Sequence, residues 1–244
     1  MCDLSANTET QKLVEAQKLT EVQNLETQNL EAQNQKSEKL AEEITKLEWD
    51  QFQLTQNEGG RANCQGNWPT FRIMRMSQFL AWPLDLQESY KQDLERANSD
   101  GRNLITEKYA RMMESTAPEI FERTIKPYIK PILEPRKSTQ EQIILAQVEW
   151  AADFRNRYPH LGLAMRVLKT SEDTAENTSF ETYLRGELST YSDATFAKYQ
   201  RFVNNLRAEN LNLTQMIIAN TVQMYGYDSL EAAEREQHPP KHIA

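Results

Sequence analysis

The chain is poor in glycine, histidine and cysteine, and each shortage removes a class of protein. Seven glycines in 244 residues is less than half the usual frequency of about 7 %. Turns that need positive φ are therefore few, which argues against a protein built of hairpins. No run of strict apolar and polar alternation is long enough for a sheet either. Only Cys2 and Cys64 are present, too few for the disulfide framework of a small secreted domain; a reducing compartment, the cytoplasm, fits best. Three histidines, His160, His238 and His242, leave imidazole metal sites and Ser/His/Asp triads short of parts. His238 and His242 are four apart, but Pro239 and Pro240 forbid the helix that would aim both at one ion. The Glu-x-x-His pairs of di-iron and di-manganese bundles are missing too. No metal and no cofactor is therefore expected.

Other absences concern partners. Neither the GxxxxGK[ST] loop nor the GxGxxG fingerprint occurs, so the usual phosphate cradles are lacking. No apolar run approaches the roughly 18 residues of a membrane span, and the opening MCDLSANTET lacks a basic leader followed by an apolar stretch. The net charge is -8. Residues 1–44 carry nine acidic and four basic side chains, and no segment supplies the basic stripe that neutralises phosphates along a nucleic acid. Neither a membrane nor a nucleic acid is an expected partner.

What is there is helical spacing. Residues 10–35 repeat imperfectly as LVEAQK, LTEVQN, LETQN and LEAQN, which places Leu13, Leu19, Leu25 and Leu30 six, six and five apart. Such steps walk the leucines around a helix instead of stacking them in a heptad seam. A solvated helix or a disordered extension is one reading of residues 1–44, and a helix that pairs with a second copy is the other. From Lys36 the pattern changes: Leu40, Ile44 and Leu47 fall at i, i+4 and i+7, with Trp49, Phe52 and Leu54 adding bulk. This helix is expected to stop at Gly59 and Gly60. Pro69 suits the first turn of a second, largely apolar helix ending at Pro83. Leu86, Tyr90 and Leu94 mark a third that ends near Gly101, and Ile105, Tyr109 and Met112 a fourth.

Pro127, Pro131 and Pro135 then recur four apart, a spacing no α-helix survives, so an extended strap packed on the surface is expected. Ser138 and Glu141 have capping-box spacing and open the next helix; Thr178 and Glu181 repeat that spacing further on. Helices over about 193–209, 213–225 and 229–237 follow, with Asn210 and Gly226 as stops. The expected fold is an all-α, multi-helix bundle of about seven to eight helices with a proline-rich extended strap in the middle. Its single domain covers 45–237, and residues 238–244 are a polar tail.

Three clusters are candidates for chemistry. The loop Asn57–Gln65 joins two apolar helices; its paired glycines would let backbone approach a ligand, with Glu58 as a base and Arg61 as an anion contact. A helix cap with a surface ion pair is the plainer reading. In the same loop Gln65 could contact a ligand, and Cys64 is either a nucleophile or a small buried residue. Glu107, Lys108, Arg111 and Glu114 share one helix and form either a solvated face or a pocket rim beside Met112 and Met113. Glu181 and Arg185, again four apart, follow the acidic Ser171–Thr174 loop, with Tyr183 between them. The candidate catalytic groups are thus Glu58, Cys64, Glu107 and Glu181. Arg61, Gln65, Arg111, Tyr183 and Arg185 are candidate ligand contacts.

These clusters also carry a resemblance. Trp49 and Phe52, NEGGRANCQ (57–65), TFRIMRMSQ (70–78), GRNLITEKYARMMESTAP (101–118), VEW (148–150), SEDT (171–174) and TSFETYLRGELSTYS (178–192) resemble the bacterial family catalogued as domain of unknown function 4125. The resemblance spans about 45–233, leaves the repeat outside it, and implies no reaction. The first functional expectation is a pocket built from Glu58, Arg61, Glu107, Arg111, Glu181 and Arg185 for a small anionic or zwitterionic ligand, an arrangement that would also allow acid/base catalysis. The competing expectation is an interaction protein that meets a partner or forms a homo-oligomer through its N-terminal helix.

Overall fold

The computed structural model describes residues 4–56, 63–174 and 177–237, with side chains over 23–56, 65–174 and 177–237. Among these residues there are eleven α-helices and no strand. The chain divides into two compact units, Met1–Lys39 and Leu40–Ala244. The described residues of the first unit, 4–39, belong to helix α1 (Leu4–Leu54), where residues 23–36 are exposed on every side.

In the second unit the last turns of α1 bury Ala41, Ile44, Thr45, Glu48, Gln51 and Phe52, while Leu54 faces solvent. The helix stops at Leu54; Gly59 and Gly60, expected to close it, lie outside the described residues. Next comes α2 (Trp68–Leu80), opened by the Asn67 side chain, which accepts from the Thr70 amide, and by Pro69 in its first turn. Pro83 ends that run and leads into α3 (Leu84–Ser99), and Gly101, at φ 69°, turns the chain into α4 (Leu104–Thr116).

Prolines shape the middle of the chain less simply than their spacing suggests. Pro118 opens the short α5 (Pro118–Ile120), a π-helical turn spans Phe121–Ile125, and Pro127 lies in a 3-10 turn, Lys126–Tyr128. Only residues 129–133 run irregularly, as a strap. Pro135 sits in the first turn of α6 (Glu134–Arg157), where its missing N–H costs nothing. The helix therefore starts before Ser138, and the Ser138–Glu141 box is not its cap. Likewise Ser179, not Thr178, caps α8 (Phe180–Leu188), its hydroxyl accepting from the Thr182 amide.

The remaining helices are α7 (Pro159–Leu163), α9 (Asp193–Ala208), α10 (Leu213–Met224) and α11 (Leu230–Glu236). The expected seven to eight helices become eleven partly because α5 and α7, each begun by a proline, are too short for apolar periodicity to mark. Asn210 (φ 55°) and Gly226 (φ 90°) end α9 and α10 as expected.

Helix α4 packs on α8, α2 on α10, α3 on α9, and α6 on both α8 and α10. The centre is aromatic. Trp82 meets Phe79, Tyr90 and Tyr199 with ring centroids 5.0, 5.7 and 5.6 Å apart, and Tyr191 closes the group 5.1 Å from Tyr90. Tyr191 follows α8, and on its other side lies the cavity described next.

Candidate functional site

Apolar stripes bring four charges into the interior. Glu48 is one turn beyond Ile44 on the buried face of α1, Arg75 interrupts the apolar α2, Lys108 lies between Leu104 and Met112 on α4, and Glu187 precedes Leu188 on α8. Isolated, each would be too costly to bury; together they neutralise one another. Arg75 grips Glu48 through Nε–Oε2 and through Nη2–Oε1 at 2.6 Å. Its Nη1 and Nη2 lie 3.5 Å from the two oxygens of Glu187. Gln78 bridges them, accepting from Arg75 at 2.7 Å and donating to Glu187 at 2.7 Å. The Tyr90 hydroxyl donates to Glu48 (2.7 Å) and that of Tyr191 to Glu187 (3.1 Å).

Lys108 completes the group, 3.6 Å from Glu187 and donating to the Tyr183 hydroxyl at 2.9 Å. Burial alone would raise the Glu187 pKa, but Arg75 and Lys108 overcome it and hold the carboxyl at about 2. Burial raises Tyr90 and Tyr191 well above the phenol range, reinforced by Glu48 and Glu187 respectively.

Against Tyr191 lies a cavity of about 340 Å3, within the range of about 300–1,000 Å3 common for small-molecule sites. Asp93, Arg96 and Ala97 come from the end of α3, and Arg102 from the following turn. Leu104, Glu107 and Arg111, spaced for one helix face, come from α4. The strap contributes Lys130 to Leu133, α6 contributes Arg136, and residues 189–193 close the far side. Five cations and three carboxylates thus line one cavity in a chain of net charge -8.

The carboxylates are engaged. Glu107 accepts from Arg102 Nε and Nη2 at 2.8 and 2.7 Å, Asp193 pairs with Arg136 at 2.5 Å, and Asp93 accepts from the Ser192 amide at 2.9 Å. Arg136 also donates to the carbonyls of Leu188 and Tyr191, and its guanidinium stacks 4.4 Å from the Phe196 ring centroid. It thereby clamps the chain between α8 and α9 to the first turn of α6.

Arg111 is placed differently. Its Nη2 donates to the Lys130 carbonyl at 2.9 Å, which ties the strap down. Its buried Nε has no acceptor among the described residues, and neither has the buried Nε of Arg136. Burial lowers the Arg111 pKa; Glu107 and Glu114 oppose this, while the charges of Arg136 and Arg102 add to it.

The sequence candidates divide accordingly. Glu107 and Arg111 line the cavity. Glu181 and Arg185 form a separate half-buried cluster: Arg185 donates to both oxygens of Glu141 at 2.8 Å and to Glu181 at 2.6 Å, and Glu181 accepts from the Thr170 amide. Tyr183 accepts from Lys108 and carries the Arg166 guanidinium 4.8 Å from its ring centroid. Gln65 is buried, its amide donating to the carbonyls of Phe52 and Thr55 at 2.6 and 2.9 Å, where it caps the end of α1. Glu58, Arg61 and the side chain of Cys64 lie outside the described residues.

Sequence reading missed Glu48 and Arg75, placed Glu187 only in the cluster of Glu181 and Arg185, and read the helix face of Lys108 as solvated or as a pocket rim. The available signal was a charge on an apolar stripe: Arg75 in a helix with little polar face, and Glu187 between Leu184 and Tyr191. Among the described residues no three His, Cys, Asp or Glu side chains gather as metal ligands, and no helix is long and apolar enough to cross a membrane.

The family model described as protein of unknown function (DUF4125) matches residues 38–235. The chain belongs to this family. The DUF4125 match takes in the whole ionic core and every residue that lines the cavity. No curated protein and no solved structure matches the chain.

Proposed function

We propose that the protein binds a small anionic ligand in the cavity between α3, α4, the strap and the start of α6. Arg111 carries this reading. It is a partly buried guanidinium with an unpartnered Nε, and two other arginines beside it add repulsion. An anion in the cavity would pair with the guanidinium and relieve the repulsion. The engaged state of Glu107, Asp93 and Asp193 favours a binding role over acid/base chemistry, since each is committed to a donor that shapes the wall.

The test is thermal shift against a panel of small carboxylates, phosphates and sulfates, run on the natural chain, Arg111→Met and Arg185→Met. A ligand present at one hundred times its Kd stabilises by about 2.7 kcal/mol. That shift should vanish in Arg111→Met and persist in Arg185→Met, whose site is the separate cluster. A panel that leaves the natural chain unmoved, or moves Arg111→Met equally, removes the proposal.

A further inference from the structure

We infer that the ligand is a phosphate monoester dianion carried on a small apolar body, an assignment that rests on the anion-pocket reading and narrows it. Charge balance comes first. Among the lining residues Arg102 is matched by Glu107 and Arg136 by Asp193, which leaves Arg96, Arg111 and Lys130 against Asp93, while Glu114 acts on Arg111 from outside the cavity. Within the lining the surplus is two positive charges, and a single carboxylate or a sulfate ester would leave one of them unmatched. A phosphate monoester carries about -1.5 to -2 at pH 7 and presents three acceptor oxygens.

The donors come from several elements. Arg111 Nε and Arg136 Nε are buried without acceptors and come from two different helices. The side chains of Arg96 and Lys130 have no partner among the described residues and lie at the exposed rim. Guanidinium groups brought to one cavity from α4 and α6, with cations of α3 and the strap at its rim, suit a tetrahedral anion with oxygens directed several ways. The lining also has an apolar part, Ala97, Leu104, Ile132, Leu133 and Tyr191, alongside Ser189, Thr190 and Ser192. Inorganic phosphate alone would leave that surface uncovered, and its contribution to affinity unused.

Calorimetric titration of the full chain at pH 8 with phenyl phosphate, phenyl sulfate, inorganic phosphate and glutarate decides the matter. Phenyl phosphate should bind at least ten-fold more tightly than phenyl sulfate, which has its shape with one charge less. It should also bind at least ten-fold more tightly than inorganic phosphate, which lacks the body. Below the second phosphate pKa of about 6, phenyl phosphate affinity should weaken as the dianion is lost, while phenyl sulfate stays level. Arg111→Met should abolish binding, and Lys130→Ala, an exposed change that leaves the fold alone, should weaken it several-fold.

Equal binding of phenyl sulfate, or preference for glutarate, overturns the phosphate assignment while a loss in Arg111→Met keeps the anion pocket. If none of the four binds, both readings fall. Binding of phenyl phosphate that Arg111→Met and Lys130→Ala leave intact places the ligand elsewhere and overturns both.

Discussion

Gly186 on α8 packs against the Lys108 carbonyl on α4 so closely that a Cβ there would lie 2.9 Å from that oxygen and 2.7 Å from Met112 Cγ. The missing side chain lets the two helices approach until Lys108 reaches both Glu187 and the Tyr183 hydroxyl. Backbone on one side of the contact cannot swing away as a side-chain tip can. Gly186→Ala should therefore cost about 1–3 kcal/mol through overpacking, even though alanine gains roughly 0.5–1 kcal/mol over glycine within a helix. Urea unfolding measures this directly. An unchanged or raised midpoint would mean that α4 and α8 can separate without loss.

Glu48 and Arg75 make the second prediction. Removing one member of a buried ion pair strands the other in low dielectric, at a typical cost of about 3–5 kcal/mol. Glu48→Ala should approach that figure, because Tyr90 loses its acceptor as well. Glu48→Gln with Arg75→Met removes both charges and should cost less than the sum of the two single changes. Strict additivity in that cycle would show that the two groups do not act as a pair.

How much of this was legible beforehand follows from the range of each interaction. Helices were readable because Leu86, Tyr90 and Leu94 recur at helical spacing, and because Pro69, Asn210 and Gly226 punctuate locally. The Glu181–Arg185 pair was readable for the same reason, as neighbours one turn apart. Arg75 and Glu187 are 112 positions apart, and periodicity identifies a buried face without saying which charge lies opposite it. The cavity depends on the strap folding back so that the Lys130 carbonyl meets Arg111, a contact no local pattern records. Gln65 was read as a ligand contact from its place in a glycine-rich loop, whereas its amide serves the Phe52 carbonyl in the last turn of α1 and the Thr55 carbonyl just beyond it.

That placement of Gln65 is open to a simple test. Gln65→Ala leaves the carbonyls of Phe52 and Thr55 without its donor, which should lower stability by about 1–3 kcal/mol. Anion binding in the cavity should be untouched, since Gln65 is not among its lining residues. Lost binding in a variant that remains folded would return Gln65 to the ligand site.

Acid sensitivity follows from Glu187, whose pKa lies at about 2 against an ordinary value of 4.5. A depressed carboxylate pKa contributes stability that is fully present above the ordinary value and is lost as pH falls toward the folded value. The contribution is roughly 3 kcal/mol and should disappear between about pH 5 and 2. Asp173, through its Thr182, Ser179 and Ser115 hydrogen bonds, and Glu181, through the Thr170 amide and Arg185, are also lowered against the effect of burial. They add to the same slope. Glu187→Gln should be less stable at pH 7 yet lose less on acidification, as urea midpoints at pH 6 and pH 3 would record. A variant whose midpoint falls by as much as that of the natural chain would remove Glu187 as the source.

The N-terminal repeat supplies the last prediction. Leu25 and Leu30 are each 59 % exposed, and steps of five or six between the repeat leucines do not build the seam through which two helices would pair. Among the described side chains of α1 the buried positions begin at Ala41, inside the family match that starts at residue 38. A chain beginning at residue 38 should therefore keep the melting temperature of the full chain to within a few degrees. Its sedimentation should differ only by the mass removed. If instead the full chain sediments as a dimer and the shortened one as a monomer, the repeat pairs copies despite its irregular spacing, and Leu25→Lys with Leu30→Lys should split that dimer.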